Sequence, residues 1–176
     1  MTVPEARLER TDAGLVPADD GWFVLNLDEA AAIRLRRMGA FLPLEGPGGF
    51  PDFGFGVHVL WPGQPNGLYH EEAVQETFLV VHGECLLIVE EQERRLRTWD
   101  LVHCPAGTRH IFVGAGDGPC AIVMAGARRP GRALHYPVSE VAARHGASAA
   151  RPTDWAAEAY DPADRVQVRE RLPWPL

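Results

Sequence analysis

Four side chains in two short segments carry the metal chemistry this sequence is capable of: His70, Glu72 and Glu76 in the first, His110 in the second. In a strand, residues i and i+2 point to one face, so His70 and Glu72 project together. A turn over Ala73–Gln75 brings the chain back, and Glu76 then opens a neighbouring strand near the same level. His110 follows the tight Pro105–Gly107 turn and begins another strand. If the sheet closes on itself, all four side chains meet. Two imidazoles and two carboxylates suit a borderline-to-hard divalent ion such as Mn, Fe or Zn. Glu72 has a second reading, as a polar wall residue or an acceptor for a histidine N–H. His70 and His110 also have one, as hydrogen-bonded core histidines without metal. Glu76 speaks against that, because a buried carboxylate with no cation is costly.

The remaining candidates are weaker. His58 and His103 line the expected interior or its rim, where a histidine serves as general acid or base. A structural, hydrogen-bonded role is the simpler reading for each. His82 shares the parity of Glu76, but six residues along a strand place it about 20 Å away. His135 and His145 attract no chemical claim. Cys85, Cys104 and Cys120 each border a turn; lacking a C-x-x-C spacing, they read as small buried thiols.

The elements that must position these residues are short strands. Eighteen glycines and fifteen prolines punctuate brief apolar runs, a rhythm of strands joined by turns. Strands are expected over Gly56–Trp61, Gly67–Glu72, Glu76–His82, Cys85–Glu90, Arg94–Thr98, Leu101–Cys104, His110–Val113 and Cys120–Ala125. Upstream, Gly21–Leu27 reads as an extra strand. Asp28 reads as the cap of a short helix over Glu29–Met38 that ends at Gly39. Downstream, Ser139 caps a helix running to His145, and Thr153 or Asp154 starts another reaching Tyr160. The tail from Asp161 is polar.

Composition narrows the possibilities. A chain of 176 residues supports one domain with a real core. Its net charge of −7 argues against nucleic acid, since neutralising phosphates needs a basic surplus. No apolar run approaches a membrane span. The charged first residues show no secretory signal, and the odd cysteine count fits reduced thiols. The expected location is cytoplasmic, with no membrane partner.

The two chemical segments resemble the paired motifs of the cupin superfamily. Its first motif joins two histidines, a glutamate and a glycine; its second joins a glycine, a proline–glycine turn, a histidine and an asparagine. His70, Glu76 and Gly83 match the first, and Pro105, Gly107 and His110 match the second. Glu72 stands where the second histidine belongs, Trp99 replaces the leading glycine of the second motif, and Gly114 replaces its asparagine. Gly63 lies one residue too far upstream of His70. The resemblance implies an all-β fold, a double-stranded β-helix or jelly-roll barrel with short flanking helices. An N-terminal extension (1–55), the barrel core (56–126) and a C-terminal extension (127–176) would make up the chain. It implies one divalent ion and a small-molecule ligand, and a homodimer paired through sheet edges. The expected activity is a metal-dependent dioxygenase or isomerase acting on a small oxygenated organic molecule. A non-catalytic binding or sensing cupin with a structural metal is the alternative, and a metal-free structural module a third, weaker one. A metal with two histidines and carboxylates polarises carbonyls or activates water; the fold itself does not choose among these chemistries.

Overall fold

A computed structural model describes residues 2–129 and 133–173. Fourteen short strands follow one another: β1 (Leu8–Thr11), β2 (Gly14–Pro17), β3 (Ala31–Leu35), β4 (Ala40–Phe41), β5 (Phe53–Leu60), β6 (Glu71–Glu72), β7 (Glu76–His82), β8 (Glu84–Val89), β9 (Gln92–Arg97), β10 (Leu101–Cys104), β11 (His110–Ala115), β12 (Cys120–Ala127), β13 (Leu134–His135) and, after the helices, β14 (Gln167–Arg171). Helices α1 (Glu140–Ala143) and α2 (Ala156–Ala159) and a 3₁₀ turn over Pro162–Arg165 separate β13 from β14.

The alternation read from the sequence sets the main sheet. It has seven strands in the order β10-β7-β12-β5-β4-β3-β14, and β11-β8-β9 form a second sheet. Even-numbered residues of β5, β7 and β12 share one face. Leu60, Phe78, Val80, Cys120 and Ile122 from this face pack with Cys85, Leu87, Cys104 and Phe112 into a buried cluster between the two sheets. Odd-numbered residues face outward, where Val57, Val59 and Ala121 pack under Ala30, Ala32, Leu42 and Leu44 of the N-terminal region. All three cysteines are free and buried, as expected.

The expected jelly-roll barrel is corrected here: the sheets face each other but do not close. The Gly83 turn, at φ 68°, hands the chain from β7 in the large sheet to β8 in the small one. A cylinder needs its edge strands to meet in continuous register. The segment between β5 and β6 meets the β11 edge as the isolated bridges Pro65–Val113 and His70–His110 rather than as a paired strand, and Pro65 has no N–H to donate. The result is a cupin-like arrangement of open sheets.

Two N-terminal expectations also change. Glu29–Met38 contains strand β3, not a helix; β3 lies between β4 and β14, so its alanines are buried by neighbouring strands. Gly21–Leu27 is irregular apart from a bridge of Trp22 to Glu5. The C-terminal helices form where expected but shorter, and Ser139 caps α1 by accepting from the Ala142 N–H. The polar tail adds β14 to β3. Among the described residues, no helix is long and apolar enough to cross a membrane.

Candidate metal centre

Two turns and two strand ends place the site. Pro62-Gly63 and Pro105-Ala106-Gly107 each close with an i to i+3 backbone bond, Gln64 N–H to Trp61 and Thr108 N–H to Pro105. Gly63 and Gly107 sit at φ 80° and 82°, the left-handed geometry that this turn demands at its third residue. His110 follows the second turn and exchanges both backbone hydrogen bonds with His70. That pairing sets the imidazole centroids 5.1 Å apart. Glu76 opens β7 on the inner face, opposite Cys104 and Gly126.

The ligand-capable atoms of His70, Glu76 and His110 all lie within 4.8 Å of one another, and Glu76 Oε2 is 3.5 Å from His110 Nε2. Each histidine bonds a backbone carbonyl through Nδ1: His70 to Leu68 O at 2.7 Å and His110 to Thr108 O at 2.9 Å. A carbonyl only accepts, so Nδ1 carries the proton and Nε2 keeps its lone pair. Burial, with His70 nearby, lowers the His110 pKa to about 4, which holds the ring neutral as a metal ligand must be. Ligands bound at 2.0–2.2 Å from one ion stand a little over 3 Å apart, so the donor types and spacing fit a divalent cation. Phe78 and Phe112 pack against His110 and shield it from water.

Glu72 shares the side of His70, as strand parity requires. It is buried, with Oε1 4.0 Å from His70 Nε2, next to the close group of three rather than within it. Its backbone carbonyl accepts from Gly107 N–H at 2.8 Å, tying β6 to the turn before His110. The two candidate proton carriers stand elsewhere. His103 pairs with Thr77 across the β10–β7 ladder, on the outer face, exposed, with Nδ1 3.2 Å from Thr77 Oγ1. His58 is on the inner face but two strands over and four residues along from Glu76, roughly 16 Å by strand spacing. His82 ends β7, exposed. Phe78, Val80 and Phe112 pack together between the sheets beside the triad, whereas Leu68 packs with Met38, Tyr136 and Ala149. Sequence reasoning missed two neighbours. The Tyr136 ring lies 5.8 Å from that of His70, delivered by a C-terminal extension that carries no motif. Asn66 accepts from the Phe112 N–H at 3.0 Å; its only signal was its place in a Pro-Asn-Gly turn.

Comparison with known proteins agrees with this geometry. Residues 56–126 match the Cupin domain family, which places that segment in the cupin superfamily. No curated protein matches it significantly. A sugar phosphate isomerase of the cupin superfamily from Silicibacter pomeroyi is 26% identical at TM-score 0.55, over 65% of this chain and 81% of that one. A protein from Thermotoga maritima described as a predicted oxalate decarboxylase is 16% identical at TM-score 0.55, over 61% of this chain and all of that one (100%). A candidate sugar phosphate isomerase from Acidithiobacillus ferrooxidans is 20% identical at TM-score 0.45; the match spans 47% of this chain and 55% of that protein's length.

Proposed function

We propose that this cupin is a metal-dependent enzyme of the isomerase type, acting on a small hydroxylated or oxo compound. The observation that carries the metal reading is the convergence of two Nε2 lone pairs on the Glu76 carboxylate, each fixed by an Nδ1–carbonyl bond. His70, Glu76 and His110 would hold one divalent ion, and Glu72 would supply a second negative charge and the fourth donor. Such an ion supplies Lewis-acid polarisation of a substrate oxygen. Around it, Phe78 and Phe112 exclude water, and the Leu68 and Thr108 carbonyls hold the two rings in their ligating tautomer. Of the two reaction classes the sequence suggests, isomerase takes precedence because the S. pomeroyi isomerase shares 26% identity. The metal is expected to be Mn, Fe or Zn.

Elemental analysis of wild type and variants tests the site. His110→Ala and Glu76→Ala should each remove most of the bound metal. Glu72→Gln, which removes the second negative charge, should weaken binding by about 10- to 100-fold, the range seen when a group around a metal is replaced. Undiminished metal in His110→Ala would overturn the site. Conversion of aldose to ketose phosphates by the metal-loaded protein, lost in the same variants, tests the reaction class.

A further inference from the structure

Among the described residues, glycines line the inner face of the main sheet on one side of the candidate metal centre. Gly126 pairs with Glu76 on one side and Gly54 on the other, and Gly56 follows on β5 opposite Met124. Strand interiors normally carry side chains; glycines there often mark the close approach of a ligand. A Cβ at Gly126 would meet only Glu76, at 3.4 Å and beyond, and one at Gly56 would meet nothing within 4 Å. Above Gly56 lies a hollow of about 330 Å³ bounded by Phe41, His58, Glu45 and Arg128, among others. Phe41 and His58 stack at 5.9 Å to form one wall. The Arg128 guanidinium covers Gly54, whose Cβ would stand 3.4 Å from Nε. Nη2 of Arg128 bonds Glu45 Oε1 at 2.5 Å, and its backbone N–H bonds Asp52 O. Nε and Nη1 bond no acceptor among the described residues and remain available to a ligand.

Resting on the reading of the triad as a metal centre, we propose that this glycine floor and hollow form a binding site for the far end of the substrate, with Arg128 holding an oxyanion there. Gly54 is two strand spacings from Glu76, about 10 Å. A short hydroxylated carbon chain ending in a phosphate or carboxylate spans that gap, its oxygenated end at the triad and its anionic end on Nε and Nη1 of Arg128. Glu45 competes for the same guanidinium and sets how strongly the anion binds. Phe41 and His58 close the hollow and limit the length of the chain it accepts.

The test is calorimetric titration of the full chain, metal-free and Mn-loaded, with ribose 5-phosphate, ribonate and ribose, alongside metal analysis and thermal melting of every variant. Wild type should bind one or both anions at least about tenfold more tightly than ribose, a difference of about 1.4 kcal/mol. The preferred anion names the group as phosphate or carboxylate. Arg128→Gln should abolish that preference. Glu45→Gln should strengthen it several-fold, because it frees the guanidinium. A purely structural ion pair would make the two variants behave alike, which overturns the proposal. Gly56→Val, on a strand with open space above it, should keep the melting temperature and metal content of wild type yet bind all three probes more weakly. Wild-type affinity in Gly56→Val, or no anion preference in wild type, would also overturn it. Failure of the metal reading shows separately, as undiminished metal in His110→Ala, while binding by the metal-free protein still reports on the hollow.

Discussion

At the scale of single residues, the site depends on hydrogen bonds that a motif does not display. The sequence places His70, Glu76 and His110 in the right order, and strand parity puts Glu72 beside His70. It says nothing of the Leu68 and Thr108 carbonyls that choose the tautomers, because those bonds follow from the conformation of each histidine's own loop. It likewise leaves open the distance of Glu72 from the triad, which rests on side-chain rotamers. Trp99 shows the opposite case, where a departure from the family pattern has a readable cost. It occupies the third position of the turn closed by Asp100 N–H to Arg97 O, at φ 77°, where glycine stands in the family's motif. A left-handed non-glycine residue costs about 1–2 kcal/mol. Its side chain is 75% exposed and recovers little through packing. Trp99→Gly is therefore expected to raise stability by about 1 kcal/mol in urea unfolding, whereas Trp99→Ala keeps the Cβ and gains nothing from the backbone. Equal stability of the two variants would refute this account.

At the scale of elements, legibility tracks how much of an element's stability is local. β7, β8, β11 and β12 alternate apolar and polar residues or run as apolar stretches, and all lie close to where the sequence puts them. Ala31–Leu35 was misread because an aspartate before a run of alanines and arginines, with a glycine after it, has the local marks of a helix. Pairing on both sides, with β4 and β14, overrides that preference. Both strands of the β8–β9 hairpin are expected from the sequence, over Cys85–Glu90 and Arg94–Thr98, but the tight turn between them carries no signal. This two-residue turn puts Glu90 and Glu91 at φ 46° and 59°, a geometry usually announced by Asn-Gly. Contacts from far along the chain hold it instead. The Glu91 N–H donates to Tyr69 Oη, and the Ser139 hydroxyl donates to Glu91 Oε2 at 2.9 Å. The same hydroxyl accepts from the Ala142 N–H at 3.0 Å, so one buried oxygen caps α1 and ties it to the turn. Ser139→Ala removes both bonds and leaves a carboxylate oxygen with one donor fewer. A loss of about 1–3 kcal/mol is expected, measured by chemical denaturation. A loss below half a kcal/mol, roughly the size of an ordinary surface change, would show that the cap does not hold the hairpin.

For the molecule as a whole, the rhythm of strands in the central segment was readable, but the flanking strands and closure were not. Closure depends on whether edge strands meet in register, and Pro65 and the four-residue β10 interrupt that register in ways no local pattern reveals. What the two open sheets do share is an apolar interior, and the half-buried histidine of β5 faces it. His58 stacks on Phe41, lines the hollow that Arg128 and Glu45 also face, and has its pKa lowered by burial to about 4. The unfolded chain titrates this group near 6.5. Above that pH, His58 is neutral in both states and contributes no pH dependence. Between 6.5 and 4 the unfolded state binds the extra proton, so stability falls as pH falls, by up to about 1.4 kcal/mol per pH unit; below 4 both states are protonated and the effect levels off. His110 shifts in the same direction, so the wild-type curve alone does not isolate His58. The difference between wild type and His58→Gln does. That difference should be flat above pH 6.5 and shift by about 1–3 kcal/mol in favour of the variant on going to pH 4, read from urea unfolding in fixed salt. A stability gap independent of pH across this range would mean that the imidazole reaches water and that the interior between the sheets is open at β5.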